Sequence, residues 1–143
     1  MKRSFAIAII IAASAALPVI GQPVKPQSLA ALNGIEPGQW ELRSRGNSEE
    51  NRSICVADPV VLLNLQHSGA SCPRFVIVND QRIATVQYSC ANIGNGRTTI
   101  RVETPRLVQI ESQGTANREP FSIQLEGRRT GVCAATASSV NRR

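Results

Sequence analysis

The sequence predicts a mainly β fold: a curved antiparallel meander sheet of about seven strands, rolled toward a half-barrel, carrying one short helix and stapled by disulfides. Three observations predict it. Apolar and polar residues alternate along several segments, turn-forming pairs separate those segments, and four cysteines occur in a chain of 143 residues. The prediction therefore rests on a period of two residues rather than on helical spacing.

The alternation is clearest in the second half of the chain. In TTIRVE, Ile100 and Val102 share one face, whereas Arg101 and Glu103 share the other, and FSIQLEG alternates in the same way. Strands with one polar face are typical of antiparallel sheets, because parallel strands buried on both faces are apolar throughout. We therefore expect one face of the sheet to contact solvent.

Turn-forming pairs separate the predicted strands; they are Pro37-Gly38, Asn79-Asp80, Asn95-Gly96 and Thr104-Pro105. The last turn also predicts a register. A three-residue loop that ends at Arg106 pairs Val102 with Val108. The same loop pairs Ile100 with Ile110, which keeps four branched side chains on one face.

One segment departs from the alternation and predicts the helix, over residues 58–67. Asp58 is suited to be its N-cap, and Pro59 follows at the first helical position, where its missing N–H has no cost. The following run VVLLNL is mostly apolar, so we expect the helix to be buried against the sheet. His67 would be its C-terminal residue, which the helix dipole favours.

The N-terminal residues predict export. Lys2 and Arg3 precede an apolar stretch over residues 5–17, and small residues favour cleavage between Gly21 and Gln22. We predict a signal peptide over 1–21, a linker over 22–34, a single β-rich domain over 35–133 and a disordered tail over 134–143. The mature protein is then expected to be periplasmic or secreted, where disulfides persist.

The charge pattern gives little support for a polyanionic partner. Loss of Lys2 and Arg3 with the signal lowers the formal net charge from +6 by two, to +4. The arginines are scattered and do not cluster with aromatic residues, so we expect no nucleic-acid partner. The apolar stretch is too short for a spanning helix, so the protein is not expected to be an integral membrane protein.

The meander predicts which cysteines pair. Cys72 and Cys90 bound one hairpin and lie at the same edge of the sheet, within disulfide reach. Cys133 would then lie at the opposite edge, with Cys55 as its partner. The alternative pairing, Cys55 with Cys72 and Cys90 with Cys133, stays open.

Catalytic and metal-binding patterns are weak. The cysteines lack C-x-x-C spacing, and His67 is the single histidine. A hydrolase built from Glu103, Glu111 and Glu126 is an alternative, although arginines among them favour ion pairs on a polar face. The stretch IGNGRTT lacks the third glycine of a dinucleotide loop. We therefore assign no catalytic residue, metal or cofactor.

One apolar face is the remaining candidate for binding. It is expected to fill the core or to hold a small apolar ligand or lipid, and its residues are Trp40, Ile100, Val102, Val108, Ile110 and Phe121. The alternatives for function are thus an interaction module of the cell envelope, a ligand or lipid cradle, and the hydrolase.

Several short motifs carry a resemblance to a known family. They are PGQWE near the start of the domain, a cysteine before a short helix, a cysteine-bounded hairpin and the closing GRRTGVC. In this order they resemble the exported bacterial family catalogued as domain of unknown function 3617, over approximately Ile35 to Cys133. The resemblance implies export to a bacterial envelope compartment, and it supplies no activity and no catalytic residues.

Overall fold

The structure is a computed structural model that describes residues 27–46 and 48–134. These residues form seven strands and four short 3₁₀ helices (η), without an α-helix among them. The strands are β1 Gly38–Ser44, β2 Arg52–Val56, β3 Arg74–Asn79, β4 Ile83–Cys90, β5 Gly94–Thr104, β6 Leu107–Ala116 and β7 Glu119–Gly131. The 3₁₀ helices are η1 Ala30–Gly34, η2 Ser48–Glu50, η3 Pro59–Leu63 and η4 Leu65–His67.

All seven strands belong to one open antiparallel sheet, which confirms the predicted fold class. Its order is β2-β1-β7-β6-β5-β4-β3. The run from β3 to β7 is a simple meander, and β1 returns to pair with β7. The first and last strands are thus neighbours, while β2 and β3 form the two edges.

The predicted register between β5 and β6 is confirmed. Val102 pairs with Val108, and Ile100 pairs with Ile110. The register shifts between Val102 and Thr104, so that Thr104 pairs with Leu107. The four branched side chains are buried together on the core face.

The turn predicted at Asn95-Gly96 is wrong, because both residues lie in β5. Asn95 pairs with Ser89 and Gly96 pairs with Tyr88. The chain instead turns just before Gly94, where Asn92 has a φ of 65°. Asparagine tolerates this left-handed conformation well, which explains the turn.

The predicted helix over 58–67 is instead two consecutive 3₁₀ helices, η3 and η4. The Asp58 side chain caps η3 as predicted, accepting a hydrogen bond from the Val60 N–H at 2.9 Å, and Pro59 occupies the first turn. Asn64 interrupts the segment with φ −133° and ψ 42°, outside the helical region. Five consecutive apolar residues do not overcome that break, and η4 ends at His67.

The core lies on one face of the sheet, beneath η1 and η3. Asn79 fixes the segment leading into η1, because its Oδ1 accepts from the Ala30 N–H at 2.8 Å and its Nδ2 donates to the Ser28 carbonyl at 3.1 Å. Leu29 and Leu32 are buried in this core. The packed domain therefore begins before the predicted boundary at Ile35, and the predicted linker over 22–34 includes core residues.

Both predicted disulfides are present. Cys55 bonds to Cys133 with a Cα–Cα distance of 5.4 Å, and Cys72 bonds to Cys90 at 4.5 Å. The first ties the edge strand β2 to the end of β7, and the second closes the β3–β4 hairpin. The alternative pairing is excluded.

Other predicted segments lie outside the described residues. The signal peptide over 1–21, its cleavage between Gly21 and Gln22 and all of the tail after Ala134 fall there. Within residues 27–46 and 48–134, no helix has the length and apolar character needed to cross a membrane.

Candidate ligand cavity

A cavity of about 230 Å³ lies beside β4, where η3 and the loop leading to β3 meet the sheet. Its walls combine apolar side chains with a few polar ones, and they are formed by Val60, Leu63, Asn64, Ala70, Ser71, Cys72, Arg74, Val86 and Tyr88. Small-molecule sites commonly have this composition. The cavity is therefore the candidate binding site of the fold.

The disulfide and the 3₁₀ helices determine its shape. Cys72 reaches β4 through its bond to Cys90, so the loop over 68–73 is held close to the sheet. The Asn64 side-chain amide donates to the Ala70 carbonyl at 3.4 Å, which links the end of η3 to the same loop. These two links hold both walls of the cavity in place.

A buried polar cluster backs the cavity at Tyr88. Tyr88 lines the cavity, and its hydroxyl lies 3.1 Å from Nδ1 of His67. The Nε2 atom of His67 lies 3.1 Å from the Thr115 carbonyl oxygen. A carbonyl only accepts, so Nε2 carries the hydrogen, and in the neutral ring Nδ1 accepts from the Tyr88 hydroxyl.

The same tyrosine contacts two further hydroxyl groups. Ser112 and Thr98 hydrogen-bond to Tyr88, and their own hydroxyl oxygens are 2.7 Å apart. Burial raises the pKa of Tyr88 above its ordinary 10.0, and the hydrogen bonds from Ser112 and Thr98 oppose that shift. The polar groups of this cluster therefore satisfy one another inside an apolar core.

Two glycines make room for the rings of this cluster. A Cβ on Gly94 would lie 2.6 Å from His67 Nε2, and a Cβ on Gly96 would meet the Tyr88 hydroxyl. Gly94 also has a φ of 142°, in the region that favours glycine. The IGNGRTT glycines are thus strand residues that admit buried side chains.

The predicted position of His67 is confirmed only in part. It does end the last 3₁₀ helix, but it is buried, and its ring makes edge contacts with Tyr88 and Phe121 at centroid distances of 5.4 and 6.0 Å. Neither Cys55 nor Cys72 can join His67 as a metal ligand, because both cysteines are in disulfides. Among the described residues, no group of three His, Cys, Asp or Glu side chains could hold a metal ion.

The residues predicted to face a ligand lie in the core instead of around this cavity. Trp40 is fully buried, and its Nε1 donates to the Glu36 carbonyl at 3.1 Å. Phe121 is half-buried beside His67. The other four are also buried; they are Ile100, Val102, Val108 and Ile110.

The carboxylates considered for hydrolysis lie on the opposite, polar face. Glu126 accepts from Gln109 and pairs with Arg128 at 3.3 Å, and these contacts hold its pKa below the ordinary value. Glu103 and Glu111 are exposed. An ion pair of this kind is common on a solvated sheet face. The contacts of Glu126 are therefore those of a surface ion pair.

Comparison with known proteins gives no family assignment. No protein-family model matches the chain. No curated protein gives a significant match. No solved structure does either.

Proposed function

We propose that this protein is a non-catalytic binding module of the bacterial cell envelope. Of this proposal, the resemblance to domain of unknown function 3617 implies the export alone. Two disulfides support the compartment, because such bonds persist where the environment is oxidising. The predicted signal peptide supports the route. The partner is then an envelope protein.

The edge strand β3 carries the proposal. It has β4 on one side only, so one row of its backbone N–H and C=O groups is unpaired within the sheet. Phe75 on this strand is 73% exposed, and Ile77 is 40% exposed. An extended segment of a partner can add to such an edge and place apolar side chains against Phe75.

The hairpin that presents this edge is fixed in place. The Cys72–Cys90 disulfide holds its open end, and Asn79 holds η1 at the other end of β3. A strand that is ordered before binding loses less conformational entropy when a partner adds to it. This preorganisation supports recognition rather than catalysis as the use of β3.

Export is tested by the intact mass of protein recovered from the periplasm of a bacterial host. The expected mass is that of residues 22–143 less four hydrogens, because Met1–Gly21 is removed and both disulfides form. Retention of residue 1, or free thiols in the recovered protein, would contradict the proposal.

The binding surface is tested by photocrosslinking in intact cells. A photoreactive phenylalanine analogue replaces Phe75, and in a matched variant it replaces Ser53, which is exposed on the opposite edge strand β2. We expect one discrete adduct from position 75 and none from position 53. Equal adducts from both positions, or none from either, would show that β3 is not the interaction surface.

A second candidate function is binding of a small apolar ligand, and the cavity beside β4 favours it. That cavity has apolar walls from η3 and β4 together with polar groups at Asn64 and Arg74. Native mass spectrometry of the periplasmic protein distinguishes the candidates, because a co-purified small molecule supports the cavity and a bare protein supports the edge strand.

A further inference from the structure

We infer that the cavity beside β4 binds a small anionic amphiphile, with a short apolar tail inside the cavity and a carboxylate paired with Arg74. The inference rests on the proposed binding function and deepens its second candidate.

The apolar part of the ligand follows from the walls and the volume. Val60, Leu63 and Val86 supply branched side chains, and the half-buried Cys72 adds part of its disulfide. The volume of about 230 Å³ exceeds the roughly 150 Å³ that accommodates benzene but is below the roughly 300 Å³ at which drug-sized sites begin. The cavity therefore suits a single short chain or ring, not a two-chain lipid.

The charge of the head group follows from Arg74. Arg74 is the single charged residue that lines the cavity, and within the described residues its guanidinium has neither an ion pair nor a hydrogen bond. Arg128 and Arg106 are paired, with Glu126 and Glu36. Arg74 is exposed, as are Arg97 and Arg101, but of these arginines it alone lines the cavity. A guanidinium binds a carboxylate through two parallel hydrogen bonds. Arg74 therefore favours a ligand with an anionic head group and repels one with an ammonium head group.

The other polar groups that line the cavity differ in whether they can bind the head group. The Tyr88 hydroxyl is already bonded to His67, and the Asn64 amide already donates to Ala70. Ser71 lies in the same wall, and its exposed hydroxyl has no partner among the described residues. The head group is thus recognised by Arg74 and Ser71, while Tyr88 and Asn64 shape the wall.

The test is calorimetric titration of the mature, oxidised protein with octanoate below its micelle concentration. We expect saturable binding at one site, with octylammonium and octanol each binding at least about tenfold more weakly, since a charged hydrogen bond is removed or opposed. The Arg74→Gln variant should lose about tenfold in octanoate affinity. Arg101→Gln is the matched control, because Arg101 is exposed on the other face of the sheet and does not line the cavity.

A second variant tests the location rather than the charge. Ala70→Phe fills the cavity from its half-buried loop wall and should abolish binding, while Trp40 fluorescence verifies that the core is intact. No binding by the wild type, equal affinity for octanoate and octylammonium, or unchanged affinity in either cavity variant would overturn the inference. The adduct at position 75 is measured independently, so a protein that crosslinks but does not bind octanoate keeps the proposed function and loses only this site.

Discussion

Tyr88 is a buried residue with a polar hydroxyl group, and it is the single tyrosine in the chain. Its hydroxyl lies between His67 and the hydroxyls of Thr98 and Ser112. Because no other tyrosine contributes, its ionisation can be followed directly by tyrosinate absorbance. That makes the buried cluster accessible to a simple measurement.

Tyr88 should ionise above pH 10.0 in the folded protein, because burial disfavours the phenolate. The folded-state pKa is raised above the unfolded one. The associated stability is therefore fully present below pH 10 and is lost as pH rises through the folded pKa. Alkaline titration should give a midpoint above that of the protein in denaturant, and coincident midpoints would contradict the burial of this hydroxyl.

Gly94 should be intolerant of any side chain. A Cβ there would clash with the Thr115 carbonyl oxygen, and φ is 142°. We expect Gly94→Ala to lower the free energy of unfolding by at least about 2 kcal/mol, from backbone strain and overpacking together. Gly34→Ala is the control, because nothing lies within 4 Å of a Cβ at that position. Equal denaturant midpoints for the two variants would refute the close packing of β5 against His67.

At the scale of elements, η3 forms one wall of the cavity and depends on its cap. Asp58→Ala removes the acceptor for the Val60 N–H and should cost about 1 kcal/mol, which corresponds to a melting temperature roughly 4–8 °C lower in a domain of this size. Asp58→Asn keeps an acceptor and should be close to neutral. If thermal unfolding shows that both variants lower the melting temperature equally, the charge of the Asp58 carboxylate stabilises the protein and the cap hydrogen bond does not.

The strands could be predicted from sequence because each depends on neighbours two residues apart. Ile100 and Val102 alternate with Arg101, and this local pattern determines both the face and the register with β6. The Cys72–Cys90 pairing followed from the meander, since Cys90 ends β4 and Cys72 lies just before the neighbouring strand β3. Local periodicity and turn chemistry therefore predict the sheet.

The cavity could not be predicted in this way. Its walls join Val60 to Val86 and Arg74, which belong to different elements and have no common spacing in the chain. His67 hydrogen-bonds to Thr115, which lies 48 positions further along the chain, so no local sequence pattern predicts that His67 is buried. The Asn95-Gly96 pair predicted a turn that does not form. Gly96 is needed in β5 because it leaves space for the Tyr88 ring, and this packing outweighs the preference of the Asn-Gly pair for turns.

At the scale of the whole molecule, the two disulfides contribute unequally. The Cys55–Cys133 bond closes a loop of 78 residues and the Cys72–Cys90 bond a loop of 18. The chain-entropy estimate gives about 4.5 and about 3 kcal/mol respectively. Replacing Cys55 and Cys133 by alanine should therefore destabilise the protein more than replacing Cys72 and Cys90. Equilibrium unfolding in urea measures both, and the reverse order would contradict an entropic origin.

The bond between Cys55 on β2 and Cys133 after β7 has a consequence for oxidative folding. A chain delivered N-terminus first exposes Cys55 well before its partner Cys133, because 78 positions separate them, whereas Cys72 and Cys90 are 18 positions apart. Non-local pairing is the slow step in folding such sheets. During that interval Cys72 is the nearest thiol to Cys55 along the chain, so we expect a fast oxidant to form a non-native bond between Cys55 and Cys72. We therefore expect a thiol-disulfide isomerase to speed recovery of the native bonds after rapid oxidation, because the Cys55–Cys133 bond needs the last strand in place.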